Sequence, residues 1–125
     1  MIKSALRKLL IDASIVGNRI YPLKIPQNPT YPLITYQRIS GAKMQSLKGS
    51  TGKAHPRYQI DIWAKKYDDA VSIAHAATVA LDGYKGIVLG VEIKAINFIT
   101  DRDFYEEAID IHRRSVDFYI WYTET

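Results

Sequence analysis

The chain has 125 residues, 47% of them hydrophobic and 24% charged, with no cysteine; this describes one ordinary globular domain that can bury its own core. The missing cysteine excludes disulfide staples, thiolate zinc sites and thiol nucleophiles, and no stretch approaches the roughly 20 apolar residues of a membrane-spanning helix. The net charge of +4 conceals a division: residues 1–66 carry twelve Lys and Arg against Asp12 and Asp61, a balance of +10, while residues 67–125 carry five against eleven acids, a balance of −6. Such asymmetry points to a polyanionic partner or to a second copy presenting its opposite end, unless the fold mixes the two halves in space and cancels the field.

Residues 1–16 interleave Lys3, Arg7 and Lys8 with apolar positions instead of opening an unbroken apolar run, so they do not read as a secretory signal, and synthesis in the cytoplasm is expected. Ile2, Leu6, Leu9, Leu10 and Ala13 recur at helical spacing, which predicts an amphipathic helix stopped by Gly17 and Asn18. Pro22, Pro26, Pro29 and Pro32 then exclude a helix or a central strand and imply an extended surface strap over residues 21–32. Residues 34–39 alternate as a strand. Residues 40–56, rich in Gly, Ser and Lys with almost nothing large to bury, read as a long flexible loop.

From Arg57 to Ala64 the alternation is clear, with Tyr58, Ile60, Ile62 and Ala64 facing one way and Arg57, Gln59, Asp61 and Trp63 the other. Asp68 is placed to cap a second helix running to about Leu81, with an inner stripe of Ala70, Ala74, Ala77 and Leu81, ended by Gly83. Residues 88–99 read as a third strand with Val91, Ile93, Ala95, Asn97 and Ile99 on one side, followed by an acidic turn over residues 101–110. The last strand, residues 113–122, sets Val116, Phe118, Ile120 and Tyr122 against Ser115, Asp117, Tyr119 and Trp121. The expected fold is therefore α+β: a single domain over residues 1–125, in the order α-β-β-α-β-β, with an antiparallel sheet of about four strands, both helices on one face and a flexible basic loop at about 41–56.

No constellation of catalytic type emerges. His55, His75 and His112 are unpaired at metal-ligand spacing; four residues after His75 stands Val79 rather than a second histidine. The carboxylates Asp101, Asp103, Glu106, Glu107 and Asp110 lack the glycine and the alternating oxygens of a calcium loop. Gly49, Gly52 and Lys53 fail as a phosphate loop, because Leu47 stands where a glycine is needed and Ala54 where a Ser or Thr is needed. Two features remain. Lys43, Lys48, Lys53 and Arg57 are four cations within fifteen residues and no acid, suited to a phosphate backbone or an acidic partner, or serving only to keep a loop solvated. Trp63, Tyr119 and Trp121 place aromatics on the polar side of their strands, as core under a second layer or as a subunit interface.

Several segments in order carry a resemblance: Asn18-Arg19-Ile20-Tyr21-Pro22, Tyr36-Gln37-Arg38-Ile39-Ser40-Gly41, Tyr58-Gln59-Ile60-Asp61-Ile62-Trp63-Ala64, Tyr67-Asp68-Asp69-Ala70, Leu81-Asp82-Gly83-Tyr84 and the closing run from Arg113 to Tyr122. Together they resemble the tail completion (tail-to-head joining) proteins of long-tailed bacteriophages and prophages. The resemblance implies a small structural protein made in the bacterial host cytoplasm and resident in the virion tail, at the head–tail interface. It implies a homo-oligomeric ring, hexameric in the virion, at the head-proximal end of the tail, with the head connector and tail tube proteins as neighbours, DNA passing through the lumen, and no membrane. It implies no enzymatic activity, no catalytic residues and no cofactor. A different class of reading is a small basic protein that binds double-stranded nucleic acid through residues 40–57. An enzyme requires a pocket that gathers Asp61, His112 and Asp117.

Overall fold

A computed structural model describes the backbone of residues 1–40, 43–46 and 49–124, with side chains for these apart from residues 40–54 and 124. The elements follow in the order α1 (Ile2–Asp12), β1 (Ile20–Pro22), β2 (Leu33–Ser40), β3 (Lys43–Ser46), β4 (Gly49–Ala54), β5 (Arg57–Ala64), α2 (Tyr67–Leu81), β6 (Gly86–Val88), β7 (Val91–Glu106) and β8 (Ile111–Glu124). The α+β class stands, but among the described residues the sheet has eight strands rather than about four and the order is α-β-β-β-β-β-α-β-β-β. The added strands escaped the periodicity argument for a physical reason: β1 and β6 are three residues long, too short to display a period of two, and β3 (Lys-Met-Gln-Ser) and β4 (Gly-Ser-Thr-Gly-Lys-Ala) hold no apolar alternation that would mark a face. The segment expected as a loop at 41–56 thus holds a paired hairpin at 43–46 and 49–54.

The long strand β8 organises the sheet. One of its edges takes β5 along residues 112–119 and then β4 at Tyr122 and Thr123; the other takes β7 from end to end. The continuous path is β1-β2-β5-β8-β4-β3, with β7 on the far side of β8 and β6 beyond β7. All pairings are antiparallel except β1 with β2, a parallel pair that the expected antiparallel sheet did not include. Register breaks between Arg38 and Ser40, Ile93 and Ala95, and Phe98 and Thr100 bend the strands and curl the sheet.

The bulge after Ile93 reverses the alternation of β7. Val91 and Ile93 are buried as expected, but Ile96 is the next core residue, so Ala95, Asn97 and Ile99 do not continue the stripe. The strand then runs on to Glu106, which confines the acidic turn to residues 107–110. Here the strand wins over local composition because every position from Thr100 to Glu106 finds an opposite residue on β8.

Both helices lie on one face. Ile2, Ala5, Leu6 and Leu10 of α1 and Ala70, Ala74, Ala77 and Leu81 of α2 join Ile34, Tyr36, Ile60, Ile62, Val116, Phe118 and Ile120 in one buried cluster. Each fully buried large aliphatic or phenyl group there contributes about 1.5–3 kcal/mol, and the alanine stripe lets α2 approach the strands closely. Asp68 and Asp69 sit in the first turn of α2, complementing its dipole, while Lys66 occupies the cap position expected for Asp68. Arg7, expected on the solvated side of α1, reaches the Ile20 carbonyl with Nε at 3.0 Å and the Asn18 carbonyl with Nη2 at 3.2 Å, tying the helix to the start of the sheet. Among the described residues no helix is long and apolar enough to cross a membrane.

Candidate functional site

The face of the sheet turned away from the helices is built in rungs. Strand alternation places Leu33, Trp63, Arg113 and Phe104 side by side across β2, β5, β8 and β7; the next rung is Thr35, Asp61, Ser115 and Arg102, and the next Gln37, Gln59, Asp117 and Thr100. Arg57 and Tyr119 lie opposite each other one step further on. Such a face on a two-layer fold is ordinarily wet. Here Thr35, Gln59, Asp61, Ser115 and Asp117 are all buried, with Asp117 only 1% exposed.

Burial of charge requires partners, and the rungs supply them. Arg57 donates to Asp117 Oδ2 from Nε at 2.9 Å and from Nη2 at 2.6 Å. That bond raises the Arg57 pKa above its ordinary value. Arg102 Nη2 donates to Gln59 Oε1 at 3.1 Å, while its Nη1 stands 3.7 Å from Asp117 Oδ1. The Gln59 amide donates to both oxygens of Asp61 at 3.0 Å, and the Ser115 hydroxyl donates to the same carboxylate. Arg113 Nε donates to Glu106 Oε1 at 2.9 Å and its Nη1 lies 3.5 Å from Asp61 Oδ1. The Arg113 guanidinium is also sandwiched, 4.2 Å from the Phe104 ring centroid and 5.2 Å from that of Trp63. Trp63 donates its indole N–H to Thr35 Oγ1 at 2.9 Å. Three arginines meet three carboxylates, so the face is polar and close to neutral.

This geometry fixes side chains rather than freeing them for chemistry. Asp61 and Asp117 share the face, but His112 points to the other one, between the rings of Tyr67 (5.7 Å) and Tyr105 (5.1 Å), so the three are not gathered in one place. Among the described residues no group of three His, Asp or Glu side chains could hold a metal ion. What remains accessible is a rim: Arg102, Phe104 and Tyr119 are each more than a third exposed, and arginine with aromatics is the composition of protein-binding patches.

Trp63, Tyr119 and Trp121 therefore share one face, but in different settings. Trp63 is packed under Arg113, Tyr119 is exposed at the rim, and Trp121 is half-buried under the His55 ring, stacked at 4.6 Å. The cations separate likewise. Arg57 opens β5 and is engaged with Asp117, Lys43 and Lys53 belong to β3 and β4, and Lys48 lies outside the described residues. Arg102, Arg113, Gln59, Ser115 and Glu106 were missed by sequence reasoning. The signal for them is the register of β5 on β8, which sets Gln59 and Asp61 against Asp117 and Ser115.

Residues 4–123 match the protein family described as "Tail completion protein gp17". Comparison with curated proteins gives no match. Among solved structures, a chain from the virion of a native gene transfer agent (GTA) particle has the same fold, with a TM-score of 0.79 at 17% sequence identity over 98% of this chain and 94% of that one.

Proposed function

The chain belongs to the tail completion protein family, a family of structural phage tail proteins, and on that premise we propose that it forms a ring at the head-proximal end of the tail and joins the tail to the head connector during virion assembly. Its neighbours in this reading are further copies of itself, six to a ring, with the connector above, the tail tube below and DNA in the lumen. The role is assembly rather than catalysis, in keeping with buried carboxylates that are held by arginine, glutamine and serine.

One observation carries the reading: the strongly basic and the acidic segments stand at opposite ends of β8. The β3–β4 hairpin pairs with β8 at Tyr122 and Thr123, whereas the carboxylates of residues 101–110 lie beside and beyond its start at Ile111. At about 3.3 Å per residue they are about 30 Å apart, so the hairpin's lysines do not neutralise these carboxylates within one copy, although Arg113 and Arg114 do so in part. A closed ring is built from contacts between unlike flanks, and opposite charges on those flanks give the contact direction and specificity. Removing the gene from its phage is expected to leave filled heads and separate tails; joined, infectious particles in its absence would overturn the proposal.

A further inference from the structure

Among the described residues β1, β6, β3 and part of β7 each have an outer side without a neighbouring strand, and the β3 and β7 edges lie on opposite flanks. On its outer side β7 is paired only at residues 91–93, by β6. Just beyond, Gly83 N–H donates to the Ile96 carbonyl at 2.8 Å and Asp82 Oδ1 accepts from the Phe98 N–H at 2.9 Å. From residue 100 to residue 106 no strand or loop among the described residues takes up that edge, and residues 100–105 are exposed. On the other flank β3 ends the path β8-β4-β3, so among the described residues its outer side has no strand beside it either.

An exposed strand edge is a template for another chain, and native proteins usually blunt it. These two edges instead differ in charge: residues 100–106 of β7 carry three acids against Arg102, while β3 carries Lys43 with Lys53 on the neighbouring β4. β7 carries Asp101 and Asp103, with carboxylates 40% and 45% exposed even though Arg114 reaches both. The β3–β4 hairpin carries Lys43 and Lys53, and no acid occurs between residues 41 and 56. Pairing β7 with the β7 of a second copy would set aspartate near aspartate, and pairing β3 with β3 would set lysine near lysine. Within one copy the two edges cannot meet, because β8 and β4 stand between them.

We propose that the outer edge of β3 in one copy pairs with the outer edge of β7, residues 100–106, in the next, so that the sheet continues from subunit to subunit. Main-chain hydrogen bonds supply the affinity, and the lysine–aspartate contrast fixes which edge meets which. This assignment rests on the ring reading and specifies its subunit contact.

The native chain has no cysteine, which makes cross-linking in assembled particles clean. A chain carrying Gln45→Cys together with Thr100→Cys, Asp103→Cys or Tyr105→Cys should give, in at least one of the three combinations, a disulfide-linked ladder of oligomers from oxidised virions, at least tenfold above the single-cysteine chains. Charge reversal is the second arm. Lys43→Glu with Lys53→Glu should lower head–tail joining at least tenfold, and adding Asp101→Lys with Asp103→Lys to the same chain should restore it. No ladder in any combination, or a reversal that the compensating pair does not rescue while DNA affinity falls, overturns the edge pairing. The ring reading is judged separately by the gene deletion, which leaves heads and tails unjoined whichever way the cross-links fall.

Discussion

The two faces of the sheet solve the same problem by opposite means. Beneath the helices, Phe118, Ile60, Ile62 and Ile120 are buried by two helices that exclude water with apolar area. On the other face there is no helix among the described residues, yet Asp61, Ser115 and Asp117 are buried too, covered by Arg57, Arg102, Arg113 and the rings of Trp63 and Phe104. The apolar face is tolerant in its partners and strict in its volume. The polar face is the reverse: it costs little in shape but needs each donor to find its acceptor. A subunit that must present one surface to neighbours gains from the second kind, because such a network holds side chains in place without a layer of helices blocking access.

That contrast sets the expected order of effects. Phe118→Ala should be the most costly change, about 3–5 kcal/mol from lost burial and the cavity left between sheet and helices, read as a lower denaturant midpoint. Asp117→Ala should come next at about 2–3 kcal/mol, below the full cost of breaking a buried pair because Arg57 can turn to solvent; adding Arg57→Met to it should recover part of the loss. A double variant no more stable than Asp117→Ala alone would break the comparison, since the polar face would then owe its stability to packing. The smallest effect lies at the seam of the two faces. Tyr67 donates to Asp103 Oδ2 at 2.8 Å and Tyr105 donates to Asp110, and these bonds raise both phenol pKa values above the ordinary value near 10. The folded state therefore holds these protons more tightly, so the contribution is complete below the unfolded pKa and is lost as pH rises through the higher folded one. An absorbance titration should show late-ionising tyrosines, fewer in Tyr67→Phe and in Tyr105→Phe; unchanged curves would detach the two rings from the carboxylates.

Legibility in the sequence followed the strength of alternation. β5 begins and ends where its pattern does, at Arg57 and Ala64, and the core stripe of β8 is the one its residues announce. The sequence pattern failed wherever backbone rather than side chains decides. The tight turn between β6 and β7 uses Leu89 and Gly90, both at positive φ, and leucine is no turn signal. The bulges in β7 shift its register by one and so exchange its faces, which no reading of unbroken alternation anticipates. The polar network is half visible in the sequence: Asp61 and Asp117 stand out, but His112 belongs to the opposite face by its parity on β8, and the carboxylates' partners come from three different strands.

The separation of lysines and carboxylates along β8 also bears on time. Charges of opposite sign held about 30 Å apart by a strand give the molecule a permanent dipole, which begins to orient an approaching neighbour before any atoms touch. Such steering raises the rate of encounter rather than the lifetime of the contact, and its reach is the Debye length, about 8 Å at physiological ionic strength and about 3 Å in molar salt. Salt added during assembly should therefore slow the first encounter far more than it loosens a joint already made.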